Sequence, residues 1–325
     1  MRAITWILVW SIFLLNPCLV HGQQKVKEDL FSVSFPDEKH GWACGHFGTV
    51  LHTSDGGRTW VSQKSGTDHT LCSIYFVDPL TGWAVGDSGT IIHTKDGGKT
   101  WVKQESPVPY ILMGAYFLNG QKGWIVGERT HILYTEDGGK TWVIQFKDED
   151  FFLKSVSFCD EQTGWAVGEY GYIYHTGNGG KSWDHQAGKF GFSEKTGEIV
   201  GGNFLFDVVA IDPSTAWVVG IDGYVARTED RGATWQRMTG GIPKTHLFGV
   251  AVDREEIAIC GRGLLLMSLD GGKSFQRVKV DPPVTYGWIY RIADRGGKGS
   301  VAVGSKGWIY LRSSEEASWN RIGRE

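Results

Sequence analysis

The chain has 325 residues, of which 41% are hydrophobic and 21% are charged, and its formal net charge is −3. This composition excludes a largely disordered chain, and 33 lysines and arginines against 36 aspartates and glutamates leave no positive excess for binding nucleic acid. The 46 glycines and 15 tryptophans, with only 9 prolines, favour a repeated structural unit.

The N-terminal segment predicts an exported protein. Arg2 precedes an apolar run over residues 4–15, which is too short to span a bilayer comfortably and is typical of a secretory signal peptide. Tolerated residues before the cleavage point favour a cut after Gly22. The predicted organisation is a signal peptide over 1–22 and a single repeat domain over 23–325.

A lipid anchor on Cys18 is the alternative to a cleaved signal peptide. The segment ending in this cysteine loosely resembles a bacterial lipobox, but Pro17 directly before it is a poor fit. On either reading the predicted location is an exported one, namely the periplasm, the thylakoid lumen or the extracellular space.

One motif, Gly-Trp-Ala-Val-Gly or a close variant, recurs through the rest of the chain. Its first four copies stand 41 residues apart, an extra eleven residues precede the fifth, and the last two follow after 41 and 43 residues. The copies begin at Gly41, Gly82, Gly123, Gly164, Ala216, Ile257 and Ser300. A period of this length built from strands and turns indicates one propeller blade per copy. The predicted fold is all-β, a seven-bladed β-propeller with four-stranded antiparallel blades.

The second copy shows how a blade is expected to form. Its predicted strands are residues 72–76, innermost, then 82–86, 89–94 and 100–103. The first strand of the whole domain is expected at 30–35 and the last at 318–322. With these bounds the two termini share no strand, and the ring closes by side-chain packing alone. The alternative is that residues 23–29 add to the last blade.

A second motif, Thr-x-Asp-Gly-Gly-Lys-Thr-Trp, follows the first at a fixed distance and is the Asp box of bacterial-neuraminidase-type repeats. The carboxylate can accept hydrogen bonds from amides across the hairpin, the threonine can tie the strand ends, and the tryptophan can cover the turn. We therefore interpret these residues as structural rather than catalytic. The set is Asp55, Asp96, Asp137, Asp230, Asp270, Trp60, Trp101, Trp142, Trp183 and Trp235.

Four cysteines follow the signal segment, namely Cys44, Cys72, Cys159 and Cys260. An even number in an exported protein raises the question of disulfides. However, Cys44 and Cys260 occupy the repeat position that holds valine in the other copies, so we expect small buried side chains there. The absence of Cys-x-x-Cys spacing argues against a metal site.

With these paired motifs in seven copies behind a signal segment, residues 30–325 resemble the photosystem II stability and assembly factor family, including its relatives in bacteria without photosynthesis. The resemblance implies a seven-bladed propeller without catalysis or cofactor. It also implies a protein partner, a newly inserted reaction-centre subunit held for assembly on the exported side of the membrane. We expect the protein to act as a monomer.

The third strands depart from the family pattern. Family members commonly carry arginine just before the Asp box, which forms a basic patch. The equivalent residues here are His52, His93, Tyr134, His175, Arg227, Met267 and Arg312. The three histidines suggest a metal site, but third strands lie away from the axis and diverge between blades, so we interpret the histidines as hydrogen-bonded between blades and expect no metal.

Binding residues are expected in the loops that ring the axis on one face. The loops between second and third strands are mixed in charge, which suits protein recognition better than a polyanion or one small ligand. They contain His46, Asp87, Glu128, Arg129, Glu169, Tyr170, Asp222, Arg262 and Lys306.

The loops between blades supply the other candidate binding residues, namely Tyr110, Phe151, Phe152, Phe190 and Phe192. The last two lie in the insertion over 188–198, which interrupts the regular period. A lengthened loop with two phenylalanines is a candidate contact element. The alternative is a surface loop whose aromatic rings fold back on the blade.

Two other function classes share this fold. A sialidase would need an arginine triad, a Tyr/Glu pair and an Arg-Ile-Pro segment, and residues 290–293 lack the proline. Glu128 and Glu169 occupy equivalent turns and are a candidate acid/base pair for a glycoside hydrolase. A carbohydrate-binding propeller without catalysis is the second alternative. We expect no enzyme activity and no catalytic residue.

Overall fold

The computed structural model describes residues 26–194, 196–197, 199–316 and 318–323, and it contains seven antiparallel sheets of four sequential strands arranged in a ring. The first strands of successive sheets lie against each other, and the first strand of the last sheet lies against that of the first, which closes the ring around an axis. The predicted seven-bladed propeller with four-stranded antiparallel blades is therefore confirmed. Residues 1–22, with the predicted signal peptide and Cys18, lie outside the described residues.

The blades follow the sequence order of the repeats. Blade 1 contains β1 (Leu30–Ser34), β2 (Gly41–Gly45), β3 (Thr49–Thr53) and β4 (Val61–Lys64). Blade 2 contains β5 (Leu71–Phe76), β6 (Gly82–Gly86), β7 (Ile91–Thr94) and β8 (Val102–Gln104). Blade 3 contains β9 (Leu112–Phe117), β10 (Gly123–Gly127), β11 (Ile132–Thr135) and β12 (Val143–Phe146). Blade 4 contains β13 (Leu153–Phe158), β14 (Gly164–Gly168), β15 (Ile173–Thr176) and β16 (Asp184–Ala187).

The insertion after blade 4 forms a two-stranded hairpin rather than a loop, with strands β17 (Phe190–Phe192) and β18 (Ile199–Gly201). Blade 5 contains β19 (Leu205–Ala210), β20 (Ala216–Gly220), β21 (Val225–Thr228) and β22 (Gln236–Arg237). Blade 6 contains β23 (Leu247–Asp253), β24 (Glu256–Gly261), β25 (Leu264–Ser268) and β26 (Gln276–Arg277). Blade 7 contains β28 (Ile289–Asp294), β29 (Gly299–Gly304), β30 (Ile309–Ser313) and β31 (Trp319–Arg321), and β27 (Val280–Asp281) pairs in parallel with β31 at its outer edge.

Six of the seven connections between second and third strands are single 3-10 turns. They are His46–Gly48, Asp87–Gly89, Glu128–Thr130, Glu169–Gly171, Ile221–Gly223 and Ser305–Gly307. No helix in the described part of the chain is both long enough and apolar enough to cross a membrane.

Stacked aromatic rings join neighbouring blades. Trp83 of blade 2 stacks on Phe117 of blade 3 with ring centroids 3.7 Å apart, and the Asp-box residue Trp142 of blade 3 meets Phe117 edge-on at 5.9 Å. The same three-ring arrangement is formed by Trp42, Phe76 and Trp101, and by Trp124, Phe158 and Trp183. Both repeated motifs therefore supply tryptophan to one interface, where flat apolar rings exclude water.

Each Asp box closes its own hairpin by hydrogen bonds. In blade 2, Oδ1 of Asp96 accepts from the Thr100 amide at 2.9 Å and Oδ2 accepts from the Thr100 hydroxyl at 2.6 Å. The Thr94 hydroxyl donates to Asp96 and accepts from the Gly98 amide. Because the Thr100 groups stabilise the carboxylate, the pKa of Asp96 is lowered to about 2. The same contacts recur at Asp55, Asp137, Asp230 and Asp270.

The cysteine at the valine position of the repeat is buried as predicted. Cys44 and Cys260 are both fully buried among apolar side chains of their blades. The four cysteines in the described residues are free thiols. These two thiols therefore serve as small core side chains.

The third-strand histidines are not hydrogen-bonded between blades, so that interpretation is wrong. Each is instead the cross-strand neighbour of the motif tryptophan of its own blade and packs on that indole ring, and the centroids of His93 and Trp83 are 4.6 Å apart. His52 packs in the same way on Trp42, and His175 on Trp165. The shared sheet face explains the difference, because it places imidazole and indole in contact.

Burial of these imidazole rings predicts a loss of stability in mild acid. Desolvation lowers the pKa of His93 from 6.5 to about 4 and also lowers the pKa values of His52 and His175. The unfolded chain therefore binds more protons, and the free energy of unfolding should fall as the pH falls from about 6.5 towards 4. We expect His93→Phe, which keeps a ring on Trp83, to flatten this part of the profile. Urea midpoints at about pH 7, 5.5 and 4.5 test it, and equal losses in both proteins would contradict it.

Among the described residues, the ring closes without exchanging a strand. β1 of blade 1 packs against β28 and β29 of blade 7, and the strands that begin and end the described chain pair only within their own blades. Val26 packs into the apolar core between these blades, and Asp29 accepts a 2.8 Å hydrogen bond from the Lys306 amide. Residues 26–29 thus contact the last blade without joining its sheet.

A buried arginine replaces glutamine at the closing interface. At four other interfaces an outer-strand glutamine donates to an Asp-box carbonyl of the next blade, for example Gln104 Nε2 to Gly138 O at 2.9 Å. Between blades 7 and 1, Arg295 Nη1 donates to Gly56 O at 2.9 Å, while Nη2 donates to two carbonyls of its own blade. The closing interface therefore keeps the contact to the Asp box.

Candidate binding site at the axial face

A cavity of about 500 Å³ opens at the end of the axis where the first strands begin. One side chain of each blade faces it, always from the second residue of the first strand. These residues are Phe31, Cys72, Met113, Lys154, Phe206, Phe248 and Tyr290. In every blade the pairing register shifts at this residue, which is the mark of a β-bulge. A bulge leaves one residue unpaired and redirects its side chain, so the fold presents seven side chains to one cavity.

Aromatic rings form one wall of the cavity. Phe206 and Phe248 lie 5.1 Å apart between centroids, Phe248 and Tyr290 5.6 Å, and Tyr290 and Phe31 5.1 Å. Trp288 extends this row to the rim, 5.8 Å from Tyr290. This aromatic wall, on blades 5, 6, 7 and 1, offers a continuous apolar surface to a ligand.

The opposite wall, on blades 2, 3 and 4, is formed by Cys72, Met113 and Lys154. Lys154 Nζ lies 3.8 Å from Glu169 Oε1 and 4.4 Å from the centroid of the Phe152 ring. Burial lowers the pKa of Lys154 while Glu169 opposes that shift. Burial raises the pKa of the Cys72 thiol to about 12, so this cysteine is a poor nucleophile at neutral pH.

An ion pair between a buried carboxylate and a partly exposed arginine lies at the cavity wall. Asp207 of blade 5 is fully buried, and its Oδ1 accepts from Arg291 Nη1 of blade 7 at 2.5 Å and from the Ser155 hydroxyl of blade 4 at 2.7 Å. Its Oδ2 accepts from the Val250 amide of blade 6 at 3.0 Å. One carboxylate thus joins four consecutive blades.

Neither member of this pair was predicted as a binding residue, although Arg291 lies in the 290–293 segment compared above with Arg-Ile-Pro. The equivalent residues of the other blades are serine or glycine, namely Ser32, Ser73, Gly114, Ser155 and Gly249. The sequence signal for this pair was the presence of two opposite charges, Asp207 and Arg291, at a repeat position that otherwise holds small neutral residues.

The predicted binding residues surround the cavity without lining it. Four of them are the first residues of 3-10 turns, namely His46, Asp87, Glu128 and Glu169. Four are the second residues of such turns, namely Arg129, Tyr170, Asp222 and Lys306. The remaining one, Arg262, lies in the tight turn of blade 6. These turns are at the cavity end, because each first strand runs antiparallel to the second. Two of them touch the wall, since the ring of His46 lies 4.6 Å from Phe31 and Glu169 pairs with Lys154.

The predicted residues from the loops between blades form an aromatic cluster on blade 4. Phe190 of the hairpin lies 4.7 Å from Tyr170 and 5.1 Å from Phe151, while Phe192 is 63% exposed. One phenylalanine of the insertion therefore folds back on the blade and the other remains available. Tyr110 on blade 3 lies under the guanidinium of Arg129.

The second residue of each of these turns has a strained backbone conformation, and the strain should be measurable. Phe47 has φ 54°, a left-handed conformation that favours glycine, and its side chain is 75% exposed. We expect Phe47→Gly to raise the free energy of unfolding by about 1 kcal/mol, because it relieves the strain and removes little packing. Urea denaturation measures the change. Ser88→Gly, at the same position with φ 55°, should stabilise similarly, and Phe47→Ala should not. Equal stability of the Gly and Ala variants at position 47 would contradict the prediction.

Metal binding has no support in the geometry. Within the described residues, no group of three or more His, Cys, Asp or Glu side chains is placed to hold a metal ion. Each third-strand histidine packs on the indole ring of its own blade, the three lie in three different blades, and none of them lines the cavity.

Known proteins match this chain over the residues that form the repeats. The family model described as photosynthesis system II assembly factor YCF48 matches residues 21–106, 62–142, 103–188 and 195–325. The photosystem II assembly lipoprotein Ycf48 of Synechococcus sp. (strain CC9902) is 29% identical over 117 residues, which are 35% of this chain and 35% of that protein. That alignment thus spans about a third of the relative.

Solved structures share the fold along most of the chain. YCF48 bound to D1 peptide has a TM-score of 0.71 and 21% identity, covering 90% of this chain and 94% of the other. YCF48 from Cyanidioschyzon merolae has a TM-score of 0.71 and 20% identity, covering 90% and 98%. The GH74 enzyme of Niastella koreensis has a TM-score of 0.70 and 12% identity, covering 92% and 54%. At these identities the likeness shows the fold alone.

Proposed function

The chain belongs to the photosynthesis system II assembly factor YCF48 family, and from this premise we propose that it is an exported, non-catalytic, monomeric scaffold that binds a segment of a membrane-complex subunit at its axial face. The family membership confirms the resemblance identified from the two repeated motifs. The axial face is the surface where the fold gathers variable side chains from all seven blades.

The aromatic wall of the axial cavity is the observation that carries this proposal. A cavity of about 500 Å³ has room for side chains of a bound segment, and its surface is mostly apolar, interrupted by polar side chains that include Lys154, His246 and Arg291. Aromatic anchors in a concave site are typical of protein recognition. That a structure of YCF48 contains a bound D1 peptide supports a protein segment as the partner here.

An exported location rests on the N-terminal sequence and on the relatives. The basic residue and apolar run over residues 1–22 are typical of a signal peptide. The curated relative is a lipoprotein, which supports export and keeps a lipid anchor on Cys18 open. A client segment would then be met on the exported side of the membrane.

The candidate acid/base pair supports a scaffold rather than a hydrolase. Glu128 Oε2 accepts from the Ile111 amide at 3.3 Å, and Glu169 Oε2 accepts from the Phe152 amide at 3.2 Å. Each carboxylate thus braces the chain entering its own blade in the same way. Repeated bracing in adjacent blades assigns both residues a role in the turn, and neither lines the cavity.

Affinity capture from the membranes of the source organism tests the proposal. We expect the tagged protein to retain a membrane-complex subunit, and a variant with Tyr286→Ser and Trp288→Ser at the cavity rim to lose it. Phe190→Ser with Phe192→Ser tests the hairpin in parallel. Val102→Ser, an exposed apolar residue on an outer strand, is the matched control and should retain the subunit. Recovery of glycans alone, or equal recovery with all variants, would contradict the proposal.

A further inference from the structure

We propose that the segment bound at the axial face is amphipathic and cationic. Its apolar side chains would lie against the aromatic wall on blades 5, 6, 7 and 1, and its lysine or arginine side chains against the turns of blades 2, 3 and 4. This inference rests on the proposed function and specifies the chemistry of its partner. Three independent features of the axial face support it.

The first feature is exposed aromatic surface that continues the cavity wall. Trp288 is 44% exposed and Tyr286, two residues before it, is 95% exposed. Phe47 lies on the same face in blade 1 and combines high exposure with a left-handed backbone. The equivalent residues Ser88, Arg129, Asp222 and Lys306 adopt the same left-handed conformation, so the turn itself does not require an aromatic ring at this position. Exposed rings that the fold does not require indicate a surface that a partner covers.

The second feature is the concentration of carboxylates on the opposite side of the cavity. We define the acidic rim as the first turn residues of blades 2–4 and the segment that leads into blade 4. It contains Asp87, Glu128, Asp148, Glu149, Asp150 and Glu169. The cationic side chains in or beside this rim are Arg129, Lys147 and, on the first strand of blade 4, Lys154.

Two of the three cations are neutralised within the acidic rim. Arg129 Nε lies 3.6 Å from Asp150 Oδ1, and Lys154 Nζ lies 3.8 Å from Glu169 Oε1. The rim therefore keeps an excess of negative charge, and Glu149 and Asp150 are exposed to solvent. An acidic surface beside an apolar cavity attracts cationic groups and repels anionic ones.

The third feature is that the arginine of the cavity wall is paired. Arg291 Nη1 lies 2.5 Å from Oδ1 of the buried Asp207. The third-strand arginines lie at the Asp-box end of the blades, away from the axial face, and are paired as well, Arg227 with Glu229 and Arg312 with Glu256. A carboxylate already neutralises the guanidinium group at the cavity, which disfavours an anionic partner there.

Selection from a random peptide library tests the chemistry of the partner without assuming its identity. Peptides of about 12 residues displayed on phage would be selected on the folded protein, and the enriched sequences synthesised with a fluorescent label. We expect enriched peptides to contain aromatic or branched apolar residues and to carry net positive charge. Affinity would be measured by fluorescence anisotropy at low and high salt.

Three variants separate the two halves of the inference. Met113→Trp, which fills the cavity, should weaken binding at least about tenfold. Glu149→Gln with Asp150→Asn should weaken it about fivefold to tenfold at low salt and reduce its salt dependence. Glu38→Gln with Glu136→Gln removes two exposed carboxylates at the other end of the blades and should leave binding unchanged. Circular dichroism would confirm that each variant is folded.

Selection of acidic peptides, or equal binding by the wild type and the Glu149→Gln/Asp150→Asn variant, would overturn the inference and leave the protein-binding function intact. Affinity insensitive to Met113→Trp would overturn the apolar half. A selection that returns no peptide above background contradicts protein binding at this face altogether. Cationic apolar peptides that lose affinity in both variants would support the inference.

Discussion

Replacement of Asp207 by alanine is expected to lower the free energy of unfolding by about 3–5 kcal/mol. The substitution leaves the Arg291 guanidinium without its carboxylate and leaves the Val250 amide and the Ser155 hydroxyl without their acceptor. The loss comes mainly from the buried Val250 amide and Ser155 hydroxyl, each of which costs about 1–3 kcal/mol when left without an acceptor, because the Arg291 side chain is 33% exposed and keeps part of its solvation. Urea denaturation followed by far-ultraviolet circular dichroism measures the loss.

The repeat itself supplies the controls for this experiment. Ser155→Ala removes one neutral donor and should cost only about 1 kcal/mol. A double variant with Asp207→Ser and Arg291→Ser restores the small polar residues that other blades use at this position, so it should be more stable than Asp207→Ala alone. A loss below about 1 kcal/mol for Asp207→Ala would show that water or another donor replaces the pair.

The propeller was predictable from sequence because the residues that build it are the ones that repeat. At three interfaces the tryptophan of the first motif stacks on a phenylalanine of the next blade, as Trp83 and Phe117 do at 3.7 Å. The hydrogen bonds of the Asp box recur in blades 1 to 6. Identical packing demands identical residues, so the period, the blade count and most strand positions follow from the motifs.

The cavity lining was not predictable because its residues do not repeat. The second residue of the first strand is phenylalanine in blade 1, cysteine in blade 2, methionine in blade 3 and lysine in blade 4. Its orientation depends on a bulge, and no residue type marks that bulge in the sequence. Loop residues were therefore favoured as the binding site, although only His46 and Glu169 of the first set contact the cavity wall.

Local sequence also left two packing choices undetermined. The insertion has two phenylalanines on the same face of β17, with ring centroids 5.4 Å apart. Phe190 also packs on Tyr170 and Phe151 of blade 4, whereas Phe192 is 63% exposed. Likewise, a histidine just before an Asp box can stack on a neighbouring ring or form a hydrogen bond. His93 stacks on Trp83 because the two residues are directly opposite each other in the sheet. This pairing depends on the strand register, which local sequence does not show.

Truncation of Trp124 to alanine is the corresponding test of the interfaces between blades. Its ring is 1% exposed, stacks on Phe158 at 3.7 Å and donates from Nε1 to Gln145 at 3.1 Å. Because the truncation leaves a cavity between two blades and an unpaired amide oxygen, we expect a loss of about 3–5 kcal/mol in the free energy of unfolding. Urea denaturation of the variant and the wild type measures it.

Trp288→Ala is the matched control, since this ring lies at the cavity rim and is 44% exposed. It should cost less than about 1 kcal/mol while weakening partner binding, whereas Trp124→Ala should destabilise the protein and leave the axial face unchanged. A double-mutant cycle with Phe158→Ala should show a coupling of about 0.5–1.5 kcal/mol for the stacked pair. If the two tryptophan variants were equally stable, tryptophan stacking would not be what holds the blades together, and the repeated motif would need another explanation.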